Sequence, residues 1–471
     1  MAFGSTTLTS AGEVDAYVVK INPQGQYLWA VRGGGDGRDV ASALALDGAG
    51  HVLITGYFDG RTAAFGTTTL ANSIPNPGPY GGANLLVARL DAATGAWQRA
   101  VGGTGNIGGT RIGADAQGGV YVGGGVAGTT ASLGPFALNN APDQGGDIVL
   151  AKLSEATGTW QWAVRGREQE QKVWAKRAVD GTGHVYAAGG FSAYGGSVST
   201  FGPTILSNLQ GRDTFVIRLD AGTGVWQWAV QPDPTRTAAQ YGGFSLQQML
   251  VDGQGHLFLV GTMSSQTVRF GPTTLTTHSV ARPLGPLPNT ATYYYDDVVV
   301  AQLDADTGTW GWAVNAGGLG DDQATACWLD RTGRPTLNGG FADAPPAPGL
   351  PPVQGCQFGA TTLASANGTG FLARLDPATV TWGPVDQVSA QLAFYGPWLD
   401  PTGNLYGMAG FGGTSASVGG RVLTAWGNCG SWYVGRLGGL LLPVVEPTGT
   451  PPLRPLPQPK RGHGHGHGPG G

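Results

Sequence analysis

One phrase recurs along this chain with few changes: "LDAATGAWQRAV", "LSEATGTWQWAV", "LDAGTGVWQWAV", "LDADTGTWGWAV" and, with its pattern decayed, "LDPATVTWGPV". A long-period repeat constrains a fold more than any local propensity, because each copy must bury its apolar face against the next. A second phrase is an apolar run ending in Asp, a tight turn, and a run ending near Gly, as in "LVDGQGHLFLVGTM". It sets aspartates at 47, 115, 180, 252, 330 and 400, at intervals of 68, 65, 72, 78 and 70. A third is "FGTTTL", "LGPFAL", "FGPTIL", "FGPTTL" and "FGATTL", with "FGSTTL" at residues 3–8 before them. The fourth is an alternating run ("AYVVKI", "LLVARL", "IVLAKL", "TFVIRL", "VVVAQL", "GFLARL", "WYVGRL"). It puts Lys20, Arg89, Lys152, Arg218, Gln302, Arg374 and Arg436 at one equivalent position.

Four β-type segments per unit of about 70 residues, with no helical period, predict an all-β chain folded as a single β-propeller of four-stranded antiparallel blades. The composition agrees. The chain has 84 glycines in 471 residues and only 12% charged residues, against roughly 7% and 25% in ordinary domains. The 14 tryptophans and 41% hydrophobic content supply a core. The strands are labelled A (ending in Asp), B (ending near Gly), C (the basic-position strand) and D (the Trp strand). The recurring hairpin is then the outer C–D half of each blade, with its Trp between neighbouring blades. Six A strands but seven C strands leave both six and seven blades open, since residues 15–31 form a C–D pair with no A–B pair of their own. The propeller spans 1–442. Residues 443–471, rich in Pro, Gly and His, are expected to be a disordered tail.

Units of this pattern resemble the bacterial SBBP-type β-propeller repeat family over roughly residues 3–437. Many members of that family are secreted or surface proteins of Bacteroidetes-type bacteria. The resemblance implies the propeller fold and an extracellular or cell-surface location, and says little about activity. No leader is visible, because "MAFGSTTLTSAGEVDAYV" lacks a basic n-region and an apolar core. "LDADTGTW" also resembles the hairpin of quinoprotein dehydrogenase propellers. Against that reading, the unit here is far longer and no vicinal cysteine pair is present.

The short A–B and C–D turns are nearly identical from unit to unit and read as structural, with Asp binding turn amides and Gly taking positive φ. His51, His184 and His256 share one turn position but belong to separate units, which argues against a common metal site. The B–C and D–A connections diverge, and ligand contacts are expected where repeats diverge. The candidates there are Tyr293, Tyr294, Tyr295 and Asp296, followed by Trp174 and Asp322. Aromatic faces beside carboxylates suit a sugar ring or a peptide, while the plainer reading has Tyr293–Tyr295 begin strand C and pack on the neighbouring blade.

The expectation is a non-enzymatic interaction scaffold, a monomer, that binds carbohydrate or protein through the B–C/D–A face. A carbohydrate-active hydrolase or lyase using carboxylates of that face, and a spacer without ligand, are the alternatives. A net charge of −4 gives no basic surface for nucleic acid. No apolar run approaches the eighteen or so residues of a membrane-spanning helix. No cofactor is called for. Calcium on Asp-rich loops is considered because Asp36 and Asp39 are echoed by Asp321 and Asp322. His463, His465 and His467 in the tail are weak metal-binding candidates. Cys327, Cys356 and Cys429 lack metal spacing and read as buried or idle thiols, with a Cys356–Cys429 disulfide as the alternative.

Overall fold

The computed structural model describes residues 1–436 except 23–24, 73–81, 139–146, 169–175, 180–182, 233–242, 278–281, 284–291, 294, 331, 343–354, 365–368, 389–392, 400–404, 412–414, 419–420 and 425–430. The chain is all-β and folds as a β-propeller. Unit 1 is complete: strand A Asp39–Leu46, B His51–Phe58, C Asn84–Asp91 and D Trp97–Gly102, hydrogen-bonded in the order A-B-C-D. The same order recurs in unit 4, with A Phe244–Val251, B His256–Met263, C Asp297–Asp304 and D Trp310–Ala316. Unit 5 follows suit with A Gln323–Leu329, B Pro335–Phe341, C Thr369–Asp376 and D Thr381–Val388. In units 2 and 3 strand B is longer (Gly119–Leu133, His184–Phe201) and runs into the hairpin that follows it. Unit 6 contributes A, B and C (Ala393–Leu399, Leu405–Phe411, Ser431–Arg436). At the N-terminus, Ala16–Ile21 and Tyr27–Gly35 form the C–D pair that the sequence shows without an A–B partner.

The core lies between blades. One apolar cluster joins Tyr186, Ala188 and Val216 of unit 3 to Leu257, Leu259, Val299 and Leu303 of unit 4. Another joins Leu53, Leu85 and Val87 of unit 1 to Val120, Val122 and Val149 of unit 2. Both faces of a strand therefore meet apolar neighbours, and "NLLVARLD" is buried almost throughout.

Two local devices build the boundaries. The "FG.TTL" phrase is a fifth element that the sequence count of four strands did not place. In units 1 and 4 it is a small hairpin in the B–C connection (Thr62–Phe65 with Thr68–Ala71; Thr267–Phe270 with Thr273–Thr276). Its Phe packs edge-on to the first Trp of strand D, as in Phe65–Trp97 and Phe270–Trp310. In unit 1 the hairpin also pairs with the preceding D strand, Gly35 opposite Ala63. The second device is a bulge at the start of the C–D pairing, as between Lys152 and Leu153 or Arg218 and Leu219. Residues i and i+2 of a regular strand share a face, and the extra residue breaks that rule. The first Trp of "WQW" thus turns to the preceding unit, where Trp97, Trp160 and Trp382 donate to the carbonyls of Arg32, Gly102 and Asn315. The second turns to the following unit.

Cys327 and Cys356 are free, buried thiols, and Cys429 lies outside the described residues. No helix among the described residues is long and apolar enough to cross a membrane.

Candidate functional site: a groove between units 4 and 5

Among the described residues, the boundaries leading into units 1 to 4 are tied on the turn face by contacts drawn from one set of three. First, the strand-C cation reaches the next unit's C–D turn: Lys20 Nζ donates to Ala92 O at 2.7 Å, and Arg218 to Asp306 O at 2.5 Å. Arg89 pairs with Glu155. Second, the second Trp of strand D donates to the same turn. The bonds are Trp29 to Ala92 O (3.3 Å), Trp162 to Ala221 O (3.0 Å) and Trp228 to Asp306 O (3.2 Å). Arg99 stands in at unit 1 and donates to Glu155 O at 2.8 Å. Third, each C–D turn is tied to its own A–B turn, with Ala92, Glu155, Ala221 and Ala305 donating to Gly50, Gly118, Gly183 and Gly255.

The close approach depends on a glycine. Gly95, Gly158, Gly224 and Gly308 all have φ between 71° and 75°. A Cβ on any of them would lie within 3.0 Å of the preceding unit's Trp29, Arg99, Trp162 or Trp228. Glycine is needed twice there, for the positive φ and for the missing side chain.

At the boundary of units 4 and 5 all three ties are altered at once. The strand-C cation is replaced by Gln302, whose side chain makes no hydrogen bond among the described residues. The turn glycine is replaced by Val380, held at φ 54°, the one non-glycine with positive φ among the described residues. The turn residue that elsewhere donates to the A–B glycine is Pro377, which has no N–H. With a branched side chain at 380 the turn cannot be approached as the glycines are. Trp312, the equivalent of Trp162 and Trp228, forms no hydrogen bond through its indole N–H among the described residues.

The result is a groove of about 880 Å³ between the A–B turns of both units and the unit 5 C–D turn. The matching boundary of units 1 and 2 encloses only about 20 Å³. Phe258 and Trp312 form its aromatic wall, with ring centroids 6.0 Å apart. Gln302, His256, Asp252 and Asp330 supply the polar groups. Both carboxylates shape turns: Asp252 accepts from the amides of Gln254 and His256, and Asp330 from those of Thr332 and Arg334. Asp252 also meets His256 Nδ1 at 2.8 Å, and Asp330 lies 3.5 Å from Arg374 Nε. A volume of this size, with an aromatic wall and a few polar groups, is that of a small-ligand or side-chain pocket.

The sequence pointed to the opposite face, and its candidates fare differently there. Tyr295 is buried at 8% exposure, just before strand C. Asp322 is 1% exposed and accepts from Gly318 N at 2.7 Å. Asp296 is half-buried, and its carbonyl accepts from Asp322 N. Tyr293 lies in the short strand Thr292–Tyr293, paired with Arg282–Pro283. Tyr294, Trp174, His463, His465 and His467 lie outside the described residues.

The Asp-rich loops are not a matched pair of surface ligand sets. Exposed Asp36 is ion-paired with Arg61 at 2.7 Å. Asp39, at 0% exposure, and Asp322 are the true equivalents. Each accepts a bond from a glycine amide, Gly35 or Gly318. Burial pushes the Asp39 carboxyl up to about 6 and the Asp322 carboxyl up to about 8. The cations beside them differ as well. Arg32 faces Asp15 at 2.5 Å and Arg165 faces Asp147 at 3.2 Å, whereas in unit 4 the amide of Asn315 faces Asp297 at 3.0 Å.

Two of the turn histidines bond the aspartate of their own A–B turn. His51 and His256 bond Asp47 and Asp252 at 2.7 and 2.8 Å. Asp47, His51 and Glu155 come close enough to hold a metal ion, but Arg89 already neutralises Glu155, so the cluster reads as an inter-unit clasp.

No family model and no curated protein matches the chain. Among solved structures, it is similar to an ulvan lyase of polysaccharide lyase family PL25 (12% identity, TM-score 0.42, covering 87% of this chain and 83% of that one). It is also similar to a europium-containing methanol dehydrogenase (12% identity, TM-score 0.37, 85% and 81% covered). A third similar structure is a puromycin-hydrolysing peptidase of Mycobacterium tuberculosis (12% identity, TM-score 0.33, 82% and 53% covered).

Proposed function

We propose that this propeller is a non-enzymatic interaction scaffold whose ligand enters the groove between units 4 and 5. The observation that carries the reading is a cavity lined by Gln302, Trp312 and Pro377, two of them departures from the repeat, beside the third departure at Val380 in the same turn. A fold that only spaces other domains has no use for ties altered together at one of its described boundaries. Binding rather than catalysis is favoured because each carboxylate of the groove holds its own turn through one oxygen and faces a basic side chain with the other. The family resemblance and the surface or secreted location it implies belong to the same proposal.

The test is a glycan and peptide array probed with the wild-type chain, Trp312→Ala, and the double variant Tyr293→Ala/Tyr294→Ala. A specific signal lost in Trp312→Ala and kept in the tyrosine variant supports the groove. The reverse pattern returns the site to the B–C/D–A face.

A further inference from the structure

The vacated place in the groove has a definite chemistry, because the other boundaries show what fills it. In unit 3, Arg218 lies over the ring of Tyr186 at 5.9 Å and donates into the next unit's turn. In unit 2, Lys152 lies over Tyr121 at 5.0 Å, with Asp115 at 3.9 Å. Tyr121, Tyr186 and Phe258 occupy one strand-B position, and each has a D-strand tryptophan about 6 Å away. Asp252 is the equivalent of Asp115. Unit 4 thus keeps an aromatic pair and the acid but has no cation among them, and of the two rings Phe258 is buried and Trp312 half-buried. Cation–π attraction of about 0.5–2 kcal/mol is available at such a seat.

Resting on the groove reading above, we propose that this groove takes an arginine side chain from a peptide of another protein. Its guanidinium lies against the half-buried ring of Trp312, beside the buried Phe258. Its planar donors face Asp252 and the turn at Pro377 and Ala378, both in the groove wall. A backbone carbonyl of the same peptide accepts from Trp312 Nε1, as the turn carbonyls of Ala92, Ala221 and Asp306 accept from its equivalents. A peptide supplies both missing partners, a cation and an acceptor. A neutral sugar supplies only the acceptor.

The experiment is titration calorimetry of the full chain with the acetylated, amidated peptide Gly-Gly-Arg-Gly-Gly and its citrulline analogue, and separately with a panel of neutral oligosaccharides. The proteins are wild type, Trp312→Ala and Gln302→Arg. The last restores the residue type used elsewhere at this position, so the groove is filled from within. The arginine peptide is expected to bind wild type at least tenfold more tightly than the citrulline peptide. It should lose at least tenfold on both variants, whose far-ultraviolet circular dichroism and melting temperature should match wild type. Equal binding of the two peptides, or arginine binding unchanged in Gln302→Arg, overturns the cation assignment. Oligosaccharide binding lost in Trp312→Ala, with no arginine binding, overturns it while leaving the groove as the ligand site. Silence from peptides and sugars alike overturns it too, and takes the groove reading with it.

Discussion

The boundary of units 1 and 2 and that of units 4 and 5 are built from the same repeat and end as opposites. In the first, Arg89 and Arg99 both reach Glu155, Gly158 lets the turn close against Arg99, and about 20 Å³ is left over. In the second, Gln302, Pro377 and Val380 stand at the corresponding places and about 880 Å³ opens. Nothing in the strands themselves differs much. A propeller boundary is therefore held by a few directional ties laid over a general apolar core, and removing the ties opens a site without unmaking the sheet.

The sharpest way to break the contrast is to disarm the closed boundary. Arg89→Ala leaves Glu155 part-buried with its main counter-charge gone, and should cost about 3 kcal/mol in denaturant unfolding. A loss below about 1 kcal/mol would mean that the apolar core alone closes this boundary. Next comes Gly224→Val, which gives unit 3 the residue that unit 5 carries at 380. The positive φ and the contact with Trp162 together predict a loss of about 2 kcal/mol.

The opposite face of the open boundary answers to pH. Burial keeps the Asp322 proton on in the folded state up to about pH 8. The unfolded chain releases it near pH ~4. Stability should therefore fall as pH rises from about 4 to about 8. Asp322→Asn should remove that fall, melting higher than wild type by at least about 2 °C at pH 8 and equal to it below pH ~4. Equal melting at both pH values would show that the carboxyl is not held protonated.

Val380→Gly should relieve the strained backbone and stabilise the chain by about 1 kcal/mol while drawing the turn toward Trp312, which a shift in tryptophan fluorescence would report. Gln302→Ala is the smallest change, under about 0.5 kcal/mol, because Gln302 holds nothing together. A large loss there would put Gln302 in a tie that the structure does not contain.

The groove's residues are visible in the sequence without reading as a site. Gln302 is the one uncharged member of the strand-C column and "LDPATVTWGPV" the hairpin whose pattern has decayed, but the near-identical turns around them read as structural. The rule that function follows divergent loops points away from the groove. The turns of units 4 and 5 look conserved in length, and their divergence is of single residues whose partners lie on the neighbouring blade. Tyr293–Tyr295 draw attention as an aromatic run, and Tyr295, two residues before strand C, is buried. "FG.TTL" was seen as a marker but not as a strand pair. In unit 1 the pair also bonds the D strand of the preceding unit, outside any window that local patterning can read.

The sequence by itself determined the all-β class, the unit length, the A-B-C-D strand order and the place of the tryptophans between blades. These follow from periodicity, and periodicity is local to each copy. Only the tertiary structure decided which boundary is open, because a tie between units joins residues some 56 to 88 positions apart. It also decided that the two tryptophans of "WQW" face opposite neighbours. That follows from a bulge, whose single extra residue reverses the alternation that the sequence alone would imply.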